Sequence, residues 1–104
     1  MSTVKIFVRR SAVQRATLQY VTLDGIRIGL RHQRSVLEGR WYQWLVTTAG
    51  VEFLGPIKLV PGIDLWAPYK HDERVPPGEL FVYGDPPDLD NVDVSTHLLY
   101  RSAT

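Results

Sequence analysis

The sequence predicts an all-β domain: one small sandwich or barrel-like fold of about seven short strands over residues 1–104. Three observations carry this. Apolar residues recur at period two or in short runs, and no stripe at i, i+3, i+4, i+7 lasts the length of a normal helix. β-branched and aromatic residues cluster in those runs, and turn residues separate them at short intervals. The length of 104 residues with 44% hydrophobic and 22% charged residues suits one globular core.

The elements follow in order. Val4, Ile6 and Val8 alternate with Lys5, Phe7 and Arg9 as a first strand. Residues 17–23 (Thr-Leu-Gln-Tyr-Val-Thr-Leu) form a second, and Asp24-Gly25 turns the chain into a third beginning at Ile26. An Asp-Gly pair tolerates the positive φ angles of a type I′ turn, so this is the clearest hairpin signal. In the third strand Ile26, Ile28 and Leu30 share one face, while Arg27 and Arg31 point to water. Residues 34–39 read as a loop.

Residues 40–47 are the next strand. Tyr42, Trp44 and Val46 share one face, and Trp41 and Leu45 the other, which suggests a strand covered on both sides. Tyr42 and Trp44 read as core-facing, with Trp44 filling the interior. Residues 51–60 read as a strand interrupted at Gly55-Pro56 by an edge, bulge or bend, because proline cannot donate to a ladder. Residues 63–69 are ambiguous, residues 79–83 form a strand, residues 89–95 hold a helical turn, and residues 96–101 close the chain as a strand.

Little chemistry is encoded. There are no cysteines, which removes disulfides and thiolate catalysis. His32, His71 and His97 lack zinc-ligand spacing and read as ordinary hydrogen-bonding residues. No serine sits in a Gly-x-Ser-x-Gly elbow, and no Gly-rich phosphate cradle occurs. Asp85, Asp88, Asp90 and Asp93 cluster, but without calcium-loop spacing, so turn formation is the expected role. No cofactor and no metal are expected. No apolar run approaches a membrane span, and the first residues lack the apolar core of a signal peptide.

Charge is uneven. Residues 1–40 hold eight basic and two acidic side chains, a net of +6, whereas residues 41–104 hold four basic and nine acidic, a net of −5. Such a domain could set its basic side against the acidic side of a neighbour, including another copy head to tail. Complementarity of this kind steers association and fixes register. The alternative is a small β-barrel that binds single-stranded nucleic acid through Arg9, Arg10, Arg15, Arg27, Arg31, Arg34 and Arg40 with interleaved aromatics. A sequence pI near 8.1 falls short of the strongly basic footprint that role requires.

Three segments in order are more specific: residues 39–46 (Gly-Arg-Trp-Tyr-Gln-Trp-Leu-Val), residues 55–69 (Gly-Pro-Ile-Lys-Leu-Val-Pro-Gly-Ile-Asp-Leu-Trp-Ala-Pro-Tyr) and residues 78–90 (Gly-Glu-Leu-Phe-Val-Tyr-Gly-Asp-Pro-Pro-Asp-Leu-Asp), followed by Leu98-Leu99-Tyr100. Over residues 17–100 the chain resembles the baseplate plug family of contractile-tailed phages, cyanophages included. It departs from the family at His32-Gln33, where members often carry Tyr-Asn, and in a longer loop at residues 34–38. The resemblance implies a non-enzymatic virion protein of the tail baseplate, assembled in the host bacterial cytoplasm, that contacts hub, spike or tail-tube proteins and forms a homo-oligomer. The expected contact residues are Arg40, Trp66, Tyr69 and Tyr83, although for Trp66 burial in the domain is the stronger of the two readings.

Overall fold

A computed structural model describes residues 3–6, 16–35, 40–84 and 96–103. Among the described residues there are seven strands: β1 (Thr3–Ile6), β2 (Ala16–Leu23), β3 (Ile26–Ser35), β4 (Arg40–Val46), β5 (Glu52–Lys58), β6 (Glu79–Gly84) and β7 (Thr96–Arg101). They form two antiparallel sheets, a four-stranded meander β2-β3-β4-β5 and a three-stranded sheet β1-β7-β6, not closed into a barrel. The expected strand count and all-β class hold.

Local chemistry explains the meander. Asp24 and Gly25 take φ angles of 50° and 79°, as a type I′ turn requires, and Leu23 pairs with Ile26 across it. β5 continues through Gly55-Pro56, a cis peptide bond, and its pairing with β4 shifts register around Leu45. The expected interruption is therefore a bulge within one strand. β3 runs on through Ser35, so residues 34 and 35 extend the ladder rather than open a loop.

The core lies between the sheets. Ile6, Leu80, Val82, Leu98 and Tyr100 come from the three-stranded side; Leu23, Ile28, Leu30, Trp41, Leu45 and Ile57 come from the meander. Each fully buried aliphatic chain contributes roughly 1.5–3 kcal/mol. Residues 59–75 join the two sheets and add Leu59, Leu65, Trp66 and Val75. A 3-10 turn at Ala67–Tyr69 is the only helical element among the described residues. Pro61 bridges Val82, Leu65 N–H donates to the Leu80 carbonyl (2.7 Å), and one Asp64 oxygen accepts from Trp66 N–H (3.1 Å) and Leu80 N–H (3.0 Å). This segment thereby covers the outer edge of β6, which would otherwise offer unpaired backbone groups. The ordered Leu-Val-x-Gly-x-Asp-Leu run, residues 59–65, is a structural device: two core leucines and an aspartate that caps the connection.

One expectation about tryptophan is corrected, and the choice between two roles is decided for another. Trp44 does not fill the core. It is half-buried on the outer face of the meander, and the inner row of β4 is Trp41, Gln43 and Leu45. With apolar side chains on both faces, period two could not choose between the rows. Trp66 is not an exposed contact residue; it has no accessible surface. Its indole N–H donates to Gln43 Oε1 (2.9 Å), and Gln43 Nε2 donates to His32 Nε2 (2.9 Å). All three side chains are wholly buried. Burial without a bond would cost each polar group about 1–3 kcal/mol, which is why they bond to one another. Two smaller differences concern Val4, 46% exposed at the sheet margin, and Arg31, which is half-buried rather than solvated. Residues 7–15, the aspartate cluster and the helical turn expected at residues 89–95 lie outside the described residues.

Burial pushes the His32 imidazole down from its ordinary 6.5 to about 4. The unfolded chain takes up a proton below pH 6.5 while the folded chain refuses it until about pH 4. Folding stability is therefore full above pH 6.5 and declines as pH falls toward 4, by on the order of 3 kcal/mol. Urea unfolding at several pH values checks this; His32→Gln should flatten the slope in that window.

A second polar cluster ties the end of β7 to the β2–β3 turn. The Asp24 carboxylate accepts from the Ser102 hydroxyl, from the Tyr100 hydroxyl (2.5 Å) and from Ala103 N–H (3.0 Å). The Ser102 hydroxyl, then that of Tyr100, holds this carboxyl below the ordinary 3.8. Tyr100 Oη in turn accepts from Gly78 N–H (2.7 Å), and its own proton is held more tightly than usual by burial and by Asp24.

Candidate interaction surfaces

Because the core uses one face of each sheet, each sheet has an outer face to offer. On the meander, alternation and register set that face in rows. Tyr20 stands opposite Gly29, and Gly29 opposite Val46; Leu18 stands opposite Arg31, and Arg31 opposite Trp44; Gln33 stands opposite Tyr42, and Tyr42 opposite Lys58. Arg40 belongs to the same face at the start of β4. The Tyr20 ring lies across Gly29, where a β-carbon would meet it at 2.9 Å and the Val46 side chain at 3.0 Å. Val46 is buried although it stands on this outer row. The Arg27 guanidinium sits 5.7 Å from the Tyr20 ring centre, and that of Arg31 4.8 Å from Trp44. Arg31 also bonds Gln33 (2.7 Å) and pairs with Glu52 (3.4 Å).

The other outer face carries Glu79, Phe81 and Tyr83 on β6 opposite Arg101, Leu99 and His97 on β7. Arg101 pairs with Glu79 at 2.6 Å. Beside β6, residues 61–64 wall a groove of about 410 Å³ that is lined by Ile63, Phe81 and Tyr83 among others. Tyr83 is 65% exposed and Ile63 56%.

The four expected contact residues thus do not converge. Arg40 is half-buried on the meander's outer face, Tyr83 stands on the opposite outer face, Tyr69 is half-buried against the core, and Trp66 is interior. Sequence reasoning missed Ile63, Phe81, Lys58 and the Arg31–Trp44 stack. The alternation of Arg27, Gly29 and Arg31 with Ile28 and Leu30 was a signal for that face, but the doubly apolar β4 concealed its partner row.

Among the described residues no group of three His, Asp or Glu side chains is placed to hold a metal ion. No helix among them is long and apolar enough to cross a membrane. The single-strand nucleic-acid alternative needs bare ring faces on which bases stack. Here the Trp44 ring has Arg31 over it and Gly55 packed against it, with a β-carbon position only 2.6 Å from Cδ1. Tyr20 is likewise laid on Gly29. On the arginine-bearing face the Trp44 and Tyr20 rings are occupied, and the geometry does not favour that reading.

An all-β sandwich whose buried polar groups serve the fold, and whose two outer faces present arginine, aromatic and aliphatic side chains, defines a structural module. The family described as "Cyanophage baseplate Pam3 plug gp18" matches residues 7–103, nearly the whole chain. The chain belongs to this baseplate plug family, whose role is structural, in the tail of a phage virion. No curated protein shows a significant match.

Proposed function

We propose that this chain is the plug-like component of a contractile tail baseplate, seated near the tail axis, where it binds hub, spike or tail-tube proteins. Several copies encircle the axis, and closed symmetry is the usual arrangement of such subunits. Assembly takes place in the host bacterial cytoplasm. The work is binding, not catalysis: buried side chains hold the sandwich rigid, and outer faces supply contact. The observation that carries this reading is the groove beside β6, where Ile63 and Tyr83 project more than half their surface into solvent. Aromatic anchors of this kind dominate interface energies.

Co-expression with the hub, spike and tail-tube proteins of the same phage tests it. The wild-type chain should co-purify with at least one of them. Tyr83→Ala combined with Ile63→Asp should weaken that complex by roughly tenfold or more, since an anchor is worth about 2 kcal/mol. The urea midpoint should barely move, because both side chains are exposed. Full-strength binding by the double variant, or no binding by the wild type, contradicts the reading.

A further inference from the structure

We infer that the outer face of the meander docks an acidic, extended segment of a neighbouring baseplate protein, an inference that rests on the structural reading above. The charge on that face is one-sided. Arg27, Arg31, Arg40 and Lys58 project from it against one described acid, Glu52, and that acid is paired with Arg31. No acidic side chain among the described residues pairs with Arg27, Arg40 or Lys58. Leu18, 47% exposed, and half-buried Trp44 flank Arg31 on the neighbouring strands.

The geometry selects carboxylates. A guanidinium laid on an aromatic ring keeps its N–H edge directed outward, and that edge matches a carboxylate in a two-pronged bond. Arg27, its guanidinium 5.7 Å from the Tyr20 ring centre, has no acid of its own among the described residues, whereas Arg31, 4.8 Å from the Trp44 ring centre, is already engaged by Gln33 and Glu52. They stand four residues apart on β3, about 13 Å at strand rise. An extended partner with acids at alternate positions turns all of them to one side, so one can meet Arg27 and another can compete with Glu52 for Arg31. A nucleic-acid strand would bring phosphates to the same arginines, but its bases would find the ring faces already covered.

The test titrates the full chain with a fluorescein-labelled peptide of alternating glutamate and threonine, and separately with an oligothymidine of equal charge. The peptide should bind, with a change in tryptophan fluorescence that Trp44→Phe abolishes, since Trp41 and Trp66 are interior. Reversing Arg27, Arg40 and Lys58 together to glutamate should weaken it by roughly tenfold or more. If that variant fails to fold, Lys58→Glu alone, at an exposed position, should weaken it about threefold. Tyr83→Ala should bind the peptide as the wild type does. No peptide binding, binding indifferent to charge reversal, or tighter binding of oligothymidine overturns the inference. Failure of the Tyr83 and Ile63 co-purification with charge-dependent peptide binding intact would instead count against the baseplate reading alone.

Discussion

Trp66→Ala is expected to cost about 3–5 kcal/mol of folding stability, the range seen when a large core aromatic is truncated. The indole is wholly buried and packs against Tyr100, ring centres 5.8 Å apart and planes tilted by 52°. Alanine would leave a cavity at the junction of both sheets and the 59–75 connection. It would also strip Gln43 Oε1 of its donor and loosen the amide that fixes His32. Trp66→Phe separates the two effects: most of the ring volume stays, while the lost hydrogen bond should cost about 1–3 kcal/mol. Urea unfolding measures both, and a lower midpoint at unchanged slope identifies a loss of stability rather than a change in the unfolded chain.

Gly78→Ala is the second large effect, expected to cost at least about 3 kcal/mol, the upper end for overpacking, because the obstruction is backbone. A β-carbon there would lie 2.2 Å from the Arg101 carbonyl oxygen and 2.5 Å from the Tyr100 ring and hydroxyl. Neither can yield cheaply. The Arg101 carbonyl belongs to β7, and Tyr100 is held between Gly78 N–H and Asp24. Displacing Tyr100 would break the bond to Asp24, so the damage should spread to the β2–β3 turn. Amide hydrogen exchange should show faster opening at β7 and at Ile26 together, and a loss confined to residues 77–79 would argue against the coupling.

Much of the fold was legible because its signals are local. Asp24-Gly25 carries its own turn geometry, Gly55-Pro56 its own break, and the alternation of Ile28 and Leu30 with Arg27, Gly29 and Arg31 its own facing. What escaped depends on residues distant in sequence. β4 has large apolar side chains on both faces, and its inner row contains Gln43, a polar residue that reads as outward. Only His32, eleven residues before it, and Trp66, twenty-three after, give that amide a reason to be buried. Trp66 sits among turn residues, which suggested exposure, yet Asp64 caps its backbone and draws the segment across β6. The outer faces were legible in part. Arg40 and Tyr83 do stand on outer faces, but on different sheets, a division that no spacing along the chain reveals. Ile63 looked like one residue of an ambiguous segment until the connection placed it beside Tyr83.

The central claim, that this chain is a structural part of the tail baseplate, is tested most directly by quantitative mass spectrometry of purified phage tails separated from heads. The account predicts the chain in the tails, at a fixed whole-number ratio to the baseplate hub, and its loss when the tail is stripped of its baseplate. Absence from purified tails, or recovery only with DNA-filled heads, would contradict it.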